Sequence, residues 1–261
     1  MATYARFENN GGKSYGIVSE GKVEELKGGL FDRPEFTGRR FALGEVKLLA
    51  PCQPPKVLAV GQNYTSHVGE RKTPKNPEMF YKPISSLQDP FGPIELPADA
   101  EDVHFEGELV VVIGTTVRNA SREEAAAAVF GVTCGNDVSD RNWQRGAGKD
   151  VQWWRAKGCD TFAPLGPVIV TGLDYSNLLL RTRLNGEVVQ QQRTSDLIFD
   201  VPTVICFISR YVTLTPGDAI YTGTPGNTRR MQPGDVVEVE IEGIGTLRNP
   251  VMQAVPNAPL H

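Results

Sequence analysis

Short apolar runs separated by turns rich in Gly and Pro dominate the chain, and they predict a protein built mainly of short strands. The clearest run is Leu109-Val-Val-Val-Ile113, which ends at Gly114 and is typical of a buried strand. Val132-Thr-Cys-Gly-Asn-Asp137 predicts a second strand. The strand-like segments on either side of Asn185-Gly186 predict a hairpin, because this dipeptide favours a type I′ turn.

Two helices are predicted from their capping residues. Ser121 and Glu124 form a capping box before an alanine-rich segment, and Gly131 is a natural stop. Asp200 caps a second helix, which has a proline in its first turn and which we expect to continue to about Tyr211. The mixture of many strands with few helices predicts a β-rich α+β protein.

The N-terminal part of the chain predicts a small β domain at residues 1–50. Two strand-like segments, residues 4–7 and 14–19, are joined there by an Asn-Asn-Gly-Gly turn. A proline-rich stretch at 51–55 then interrupts the chain, so we place the domain boundary there. Residues 51–261 are expected to form the larger, catalytic and metal-binding domain.

Composition excludes several classes of function. The net charge is −4, the pI is about 5.5 and no basic run stands out, so nucleic acid is not expected as a partner. No apolar segment has the length of a membrane span, and the N-terminus lacks the regions of a signal peptide. The four cysteines are scattered, which favours free thiols in a cytoplasmic protein. We also expect the tail after Pro256 to be loose.

A group of acidic residues carries the first chemical signal. Strand alternation predicts that His104, Glu106 and Glu108 share one face, and Asp137 ends the next predicted strand. The two glutamates would repel each other at the end of a buried strand unless a cation held them. Alternatively, the two glutamates face water at a hairpin end. Their own pattern favours neither the cation site nor this interpretation. Three carboxylates without a Cys or His cluster suit Mg²⁺ or Mn²⁺ better than zinc.

His67 and Glu70 are candidates for a general base and its orienting partner. Three residues apart on one helical turn, they would face the same way and could share a hydrogen bond. The spacing alone favours an incidental surface pair. Residues 71–79 are charged and interrupted by prolines, which is typical of a mobile lid beside a base. Lys157 is either a surface residue or a fixed positive charge beside the cation.

Five motifs in this order resemble those of the fumarylacetoacetate hydrolase family, over roughly residues 50–255. They are Gly61-Gln-Asn-Tyr with His67 and Glu70, Phe105-Glu-Gly-Glu-Leu109, Asn136-Asp-Val-Ser139, Lys157-Gly-Cys-Asp-Thr-Phe-Ala-Pro-Leu-Gly-Pro167 and Thr222-Gly-Thr-Pro-Gly226. The resemblance implies a mixed β-roll catalytic domain, a divalent metal and a homodimer.

The resemblance also implies roles for nine residues. The positions that match metal ligands are Glu106, Glu108 and Asp137. The positions that match catalytic residues are His67 and Glu70, as a lid dyad that activates water, and Lys157. The positions that match the substrate-lining residues are Arg141, Gln144 and Thr224. The family often has Ala and Asp on either side of this arginine, whereas here Asp140 and Asn142 flank it, so a carboxylate that could orient Arg141 is missing.

The function implied by the resemblance is a metal-dependent hydrolase acting on 2-oxo acids. It would cleave a carbon–carbon bond in a 1,3-dicarbonyl substrate, an acylpyruvate such as fumarylpyruvate, through a metal-stabilised enolate. The same site would also serve an oxaloacetate decarboxylase or an isomerase of 2-hydroxy-dienedioates. From a different class, a non-catalytic module braced by a cation remains an alternative, because the carboxylates alone require no reaction.

Overall fold

The computed structural model describes residues 1–255, and the predicted loose tail after Pro256 lies outside the described residues. The strands are β1 (Ala2–Asn9), β2 (Gly12–Ser19), β3 (Lys22–Leu26), β4 (Phe36–Ala42), β5 (Lys47–Leu49), β6 (Val57–Gly61), β7 (Glu78–Lys82), β8 (Leu87–Gln88), β9 (Ile94–Leu96), β10 (Val103–His104), β11 (Gly107–Ile113), β12 (Val129–Asn136), β13 (Ser139–Asp140), β14 (Ala163–Thr171), β15 (Leu179–Leu184), β16 (Glu187–Arg193), β17 (Ala219–Tyr221), β18 (Val236–Ile241) and β19 (Gly245–Gln253). The α-helices are α1 (Thr65–Val68), α2 (Arg122–Ala127), α3 (Arg141–Arg145), α4 (Trp154–Gly158) and α5 (Val201–Ser209). None of the helices in this part of the chain is both long and apolar enough to cross a membrane.

A large mixed sheet forms the centre of the fold, with strand order β4-β3-β2-β1-β14-β12-β11-β17-β6-β7. Strand β11 is buried at every residue and pairs antiparallel with β12 and β17. A second sheet, β16-β15-β18-β19-β9, covers one face of the first. Leu109 and Val111 of β11 share a core cluster with Leu180 and Val239 of the second sheet. The prediction of a β-rich α+β fold is confirmed.

Local sequence signals placed most of the predicted elements correctly. Both halves of the capping box at Ser121 and Glu124 are formed, and Asp200 caps α5 by accepting the backbone N–H of Thr203. Asn185 and Gly186 both have positive φ, as a type I′ turn requires. The predicted end of α2 was less accurate. The helix stops at Ala127, and β12 begins at Val129, before the predicted stop at Gly131.

The N-terminal strands continue the central sheet, because β1 pairs with β14 as well as with β2. Two strands there, β3 and β4, were not expected from the sequence. Their pattern is obscured by charges that pair across the strands, in particular Arg39 with the buried Glu25 and Arg40 with Glu24. Ion pairs of this kind hide a strand from a search for apolar alternation.

Candidate active site

The carboxylates of Glu106, Glu108 and Asp137 come together where β11 begins and β12 ends. The antiparallel register pairs Glu108 with Gly135, and the backbone N–H of Asp137 donates to the carbonyl of Glu106 at 2.8 Å. One oxygen from each carboxylate lies within 4.8 Å of the others, and all three residues are buried. The strand pairing therefore brings together the three residues that the sequence nominated as metal ligands.

Three cationic side chains surround these carboxylates. The ammonium group of Lys157 donates to Glu106 Oε2 and to Asp137 Oδ2, both at 2.6 Å. Lys82 donates to Asp137 Oδ1 at 2.6 Å and also to the backbone carbonyl of Lys157. Arg141 Nη2 donates to Glu106 Oε1 at 2.5 Å. Every carboxylate oxygen of Glu106 and Asp137 thus has a positively charged partner.

The same contacts determine the protonation of the cluster. Burial alone would raise the pKa of Glu106, but Arg141 and Lys157 hold it well below its ordinary value. Burial would lower the pKa of Lys157, but Asp137 and Glu106 raise it, so the ammonium group stays charged.

Glu108 is the carboxylate that lacks a cationic hydrogen-bond partner among the described residues. Its Oε2 accepts the backbone N–H of Gly223 at 2.7 Å. Burial, together with the negative charges of Asp137 and Glu106, raises the pKa of Glu108 well above its ordinary value. A divalent cation would offset the unfavourable free energy of ionising Glu108 at this position. The three candidate ligands offer oxygen donors only. The residues therefore fit Mg²⁺ or Mn²⁺.

His67 lies on the four-residue helix α1, and its Nδ1 is 2.8 Å from the carbonyl oxygen of Gly226. A carbonyl oxygen can only accept a hydrogen bond, so Nδ1 carries the proton and Nε2 keeps a free lone pair. Burial lowers the pKa of His67 below its ordinary value, although Glu106 and the Gly226 carbonyl act against this shift. The imidazole is therefore neutral near pH 7 and has the form of a base.

The expected hydrogen bond between His67 and Glu70 is not formed. Helix α1 ends at Val68, and Gly69 turns the chain with φ 61°. Glu70 is exposed, and within residues 1–255 its carboxylate has no hydrogen bond to His67. The expectation of one shared helical turn was wrong because the helix stops before Glu70. The backbone carbonyl of Gly226 orients the ring instead.

Arg141 lies at the start of α3, and four contacts determine its position. Besides Glu106, the guanidinium donates to Gln144 Oε1 at 2.7 Å and to Thr228 Oγ1 at 2.8 Å. Its backbone N–H donates to the carbonyl of Asp102. Arg141 is 6 % exposed, and its Nε has no hydrogen-bond partner in the described part of the chain. A buried donor without a partner is costly unless a ligand satisfies it.

The two residues that flank Arg141 form hydrogen bonds with the segment around Glu101 and with α3. Asp140 is buried, and its carboxylate accepts the backbone N–H groups of Glu101, Asp102 and Trp143. It therefore caps α3. Asn142 donates to Glu101 at 3.1 Å, so it points away from the guanidinium.

A pocket opens above the carboxylates. It is lined by Val60, Gly61, Gln62, His67, Arg71, Phe80, Glu106, Glu108, Arg141, Gln144, Arg145, Trp153, Lys157 and Thr224. Thr224 is held in place because its hydroxyl donates to the carbonyl of Gly107 and accepts from Gln190. Trp153 packs edge-on against Phe80, with 5.6 Å between the ring centroids, and both residues line this pocket.

Lys82 belongs to the cluster although the sequence did not identify it, and His104 lies outside the pocket although the sequence placed it with the glutamates. Lys82 is completely buried at Asp137, and the Tyr-Lys-Pro context gave no sign of this role. His104 does not line the pocket with the glutamates, because β10 ends at His104 and β11 begins only at Gly107. Its ring instead contacts Asp102 and Thr228.

Comparison with known proteins gives two family matches. The model of the fumarylacetoacetate (FAA) hydrolase C-terminal family matches residues 56–252, and that of the Rv2993c-like N-terminal family matches residues 3–51. Among the relatives is the protein named oxaloacetate tautomerase FAHD2A, mitochondrial, from Homo sapiens. It is 42% identical over 80% of this chain and 70% of its own length.

Two solved structures are also similar over nearly the whole chain. The 2-hydroxyhepta-2,4-diene-1,7-dioate isomerase from Mycobacterium marinum is 43% identical, with a TM-score of 0.89, and the match covers 97% of this chain and 99% of that one. The maleylpyruvate hydrolase from Sphingobium sp. SYK-6, in complex with manganese (II) ion and pyruvate, is 29% identical, with a TM-score of 0.80. That match covers 98% of this chain and 100% of the other.

Proposed function

Because the chain belongs to the fumarylacetoacetate hydrolase family, we propose that it is a metal-dependent hydrolase that cleaves acylpyruvates such as fumarylpyruvate. The observation that carries the proposal is the pocket itself. Two carboxylates of the buried triad, Glu106 and Glu108, line one pocket together with Lys157, Arg141 and His67. Metal binding alone requires none of the last three residues. For that reason the non-catalytic alternative is not favoured.

The charges of the cluster match a doubly negative ligand. Glu106, Glu108 and Asp137, when ionised, are balanced by Lys82, Lys157 and Arg141. A divalent cation adds two positive charges to this buried set, and a 2-oxo acid in its enolate form carries two negative charges. When bound, the cation would act as a Lewis acid on the oxygens of the substrate.

Arg141 is proposed to bind the carboxylate of the substrate. Its guanidinium lines the pocket, and its unpartnered Nε–H is available to a ligand. Lys157 would supply positive charge near the oxygen on which negative charge develops. Its ammonium group hydrogen-bonds Glu106 and Asp137, and a cation would compete with it for those oxygens.

The proposed reaction starts at His67. Nε2 accepts a proton from a water molecule, whose oxygen forms a bond to the acyl carbonyl carbon. The bond between that carbon and carbon 3 of the pyruvate unit then breaks, and its electron pair stays on carbon 3 as an enolate. The imidazolium returns the proton to carbon 3. The products are one carboxylic acid and one pyruvate for each water consumed.

The charge of the pocket mouth favours an acyl group that carries its own carboxylate. Arg71 and Arg145 both line the pocket, and neither forms an ion pair within the described residues. Arg141 lines the same pocket, and burial together with the charges of Arg141 and Arg71 lowers the pKa of Arg145. Fumarylpyruvate would place a second carboxylate at this end, whereas acetylpyruvate would not.

A second candidate is tautomerisation or decarboxylation of oxaloacetate, or isomerisation of a 2-hydroxy-dienedioate. Relatives of this chain carry the names oxaloacetate tautomerase and dienedioate isomerase. Proton transfer to or from carbon needs one base and no attacking water, which is consistent with the absence of a bond between His67 and Glu70. The two candidates differ in whether water enters the product.

The deciding experiment incubates the Mg²⁺-loaded protein with acetylpyruvate, fumarylpyruvate and oxaloacetate and follows the products by NMR. We expect equal amounts of pyruvate and carboxylic acid from fumarylpyruvate, and no reaction in excess chelator. The variant His67→Ala should lower this rate by roughly 10²–10⁴-fold, as is typical of a lost general base. Thr65→Ala, an exposed neighbour on α1, is the control. Faster enol–keto exchange of oxaloacetate without hydrolysis of any acylpyruvate would instead favour the second candidate.

A further inference from the structure

We infer that Asp102, His104 and Thr228 form a hydrogen-bonded chain that holds Arg141 in the orientation needed to bind the substrate carboxylate. This inference rests on the proposed function. His104 Nε2 is 2.9 Å from Asp102 Oδ1, and His104 Nδ1 is 2.9 Å from Thr228 Oγ1. Thr228 Oγ1 in turn accepts from Arg141 Nη2 at 2.8 Å. Arg141 alone among the four lines the substrate pocket, so the other three are positioning residues.

The donors and acceptors permit only one direction along this chain. A guanidinium only donates, so the Thr228 oxygen accepts from Arg141. A carboxylate only accepts, so His104 carries its proton on Nε2 and donates it to Asp102. The Nδ1 atom of the neutral ring then needs a donor, and the single hydroxyl proton of Thr228 supplies it. Thr228 and His104 therefore each accept one hydrogen bond and donate one, and donation runs in one direction from Arg141 to Asp102.

Asp102 holds Arg141 at two separate points. Its carbonyl oxygen accepts the backbone N–H of Arg141 at 2.9 Å, while its carboxylate ends the chain that reaches the guanidinium. Strands β10 and β13 hold the two segments in register, since Val103 pairs with Asp140 and His104 pairs with Ser139. Asp102 therefore fixes the position of the Arg141 backbone directly and that of its guanidinium through His104 and Thr228.

The chain gives Arg141 a contact that does not depend on the metal site. Its other contact on Nη2 is Glu106, a candidate metal ligand whose charge a cation would share. Gln144 contacts only Nη1. Thr228 is an uncharged acceptor, and it comes from the loop between β17 and β18. It fixes Nη2 while leaving Nε without a protein partner, as binding of a carboxylate requires.

The test measures the affinity of the Mg²⁺-loaded protein for oxalate by calorimetry, together with KM and kcat for fumarylpyruvate. Thr228→Val removes the hydroxyl with little change in volume and leaves an Arg141 N–H without an acceptor. We expect the Kd for oxalate and the KM to rise roughly ten-fold, with kcat changed less. Thr228→Ser should restore both. Thr133→Val, which removes a buried hydroxyl that has no partner among the described residues, is the matched control.

A double-mutant cycle tests the chain as a unit. His104→Phe removes both ring contacts, and combining it with Thr228→Val should cost no more oxalate affinity than Thr228→Val alone. Additive losses of oxalate affinity would contradict the inference that His104 acts on Arg141 through Thr228. An unchanged Kd in Thr228→Val, or an equal loss of Mg²⁺ affinity measured without oxalate, would also overturn it. Wild-type protein that neither binds oxalate nor turns over any 2-oxo acid would overturn the proposed function, and this inference with it.

Discussion

At the scale of single residues, the site is controlled by which polar group each buried side chain meets. The carbonyl of Gly226 fixes the tautomer of His67, and the carboxylates keep Lys157 charged in spite of burial. The low dielectric of the interior makes each of these contacts stronger than it would be in water. Two predictions belong to this scale.

The first prediction is the pH dependence of hydrolysis. Burial lowers the pKa of His67 from its ordinary value of 6.5, so the neutral, basic form persists at pH values below 6.5. For an acylpyruvate, kcat/KM should therefore fall to half of its plateau value only at a pH below 6.5, where the imidazole becomes protonated. The acidic decline should disappear in the residual activity of His67→Gln. An acidic limb centred above pH 6.5 would contradict the assignment of His67 as the base.

The second prediction concerns Lys82, whose ammonium group is completely buried against Asp137. Lys82→Met leaves Asp137 with one cationic partner fewer, which should lower the free energy of unfolding by about 3–5 kcal/mol in the presence of chelator. Added Mg²⁺ should recover part of the loss, because the cation supplies charge at the same carboxylate. Urea unfolding with chelator and with Mg²⁺ measures both values.

The exposed Lys72→Met is the control for Lys82→Met, and it should change neither value by more than about 0.5 kcal/mol. The same loss for Lys82→Met with and without Mg²⁺ would show that the cation does not bind at Asp137.

At the scale of elements, rigid strands carry the carboxylates while short, weakly held segments carry the base. Strand β11 is buried throughout and is paired on both edges. Helix α1 has four residues, and its side-chain hydrogen bonds to the rest of the fold come from Ser66, to Gln192 and Gly226, and from His67, to Gly226. This contrast between the two elements predicts a difference in local stability.

The third prediction follows from that contrast and tests residues 65–77 as a lid. Backbone amides in this stretch should exchange hydrogen much faster than those of β11 in the free protein. Mg²⁺ with oxalate should slow the exchange in 65–77 and leave β11 unchanged, because closure over a ligand would order the segment. Exchange measured by mass spectrometry with and without oxalate gives the comparison. Equal protection of 65–77 in both states would exclude a lid.

At the scale of the whole molecule, one apolar surface lies next to the pocket. Tyr81, Val151 and Trp154 line a single groove, and they are 57%, 101% and 68% exposed. Trp153 lies in the same groove and also in the wall of the substrate pocket. Adjacent exposed apolar side chains of this size favour an interface with another protein. We propose that a second copy of the chain covers this groove.

The fourth prediction tests that homodimer. Trp154→Glu should convert a dimer into a monomer in sedimentation equilibrium, because a charge would be buried without a partner. Tyr211→Glu replaces another exposed aromatic residue, which is 75% exposed and lies just after α5, and should leave the dimer intact. A wild-type monomer at micromolar concentration would rule out the proposed interface.

The sequence by itself determined the elements whose signals are local. The capping box at Ser121, the turn at Asn185-Gly186 and the apolar run from Leu109 to Ile113 each depend on neighbours within a few residues. It also nominated the three carboxylates, because two of them flank Gly107 and the third ends the next strand. Strand pairing then brings them together without any further information.

Only the tertiary structure decided which groups complete the site. His67 meets Gly226 across 159 positions, Lys82 meets Asp137 across 55 positions and His104 meets Thr228 across 124 positions. No local pattern encodes such contacts, since they depend on how the strands and loops pack. The local rule even gave the wrong partner for His67, because a helix that ends at Val68 turns Glu70 toward solvent.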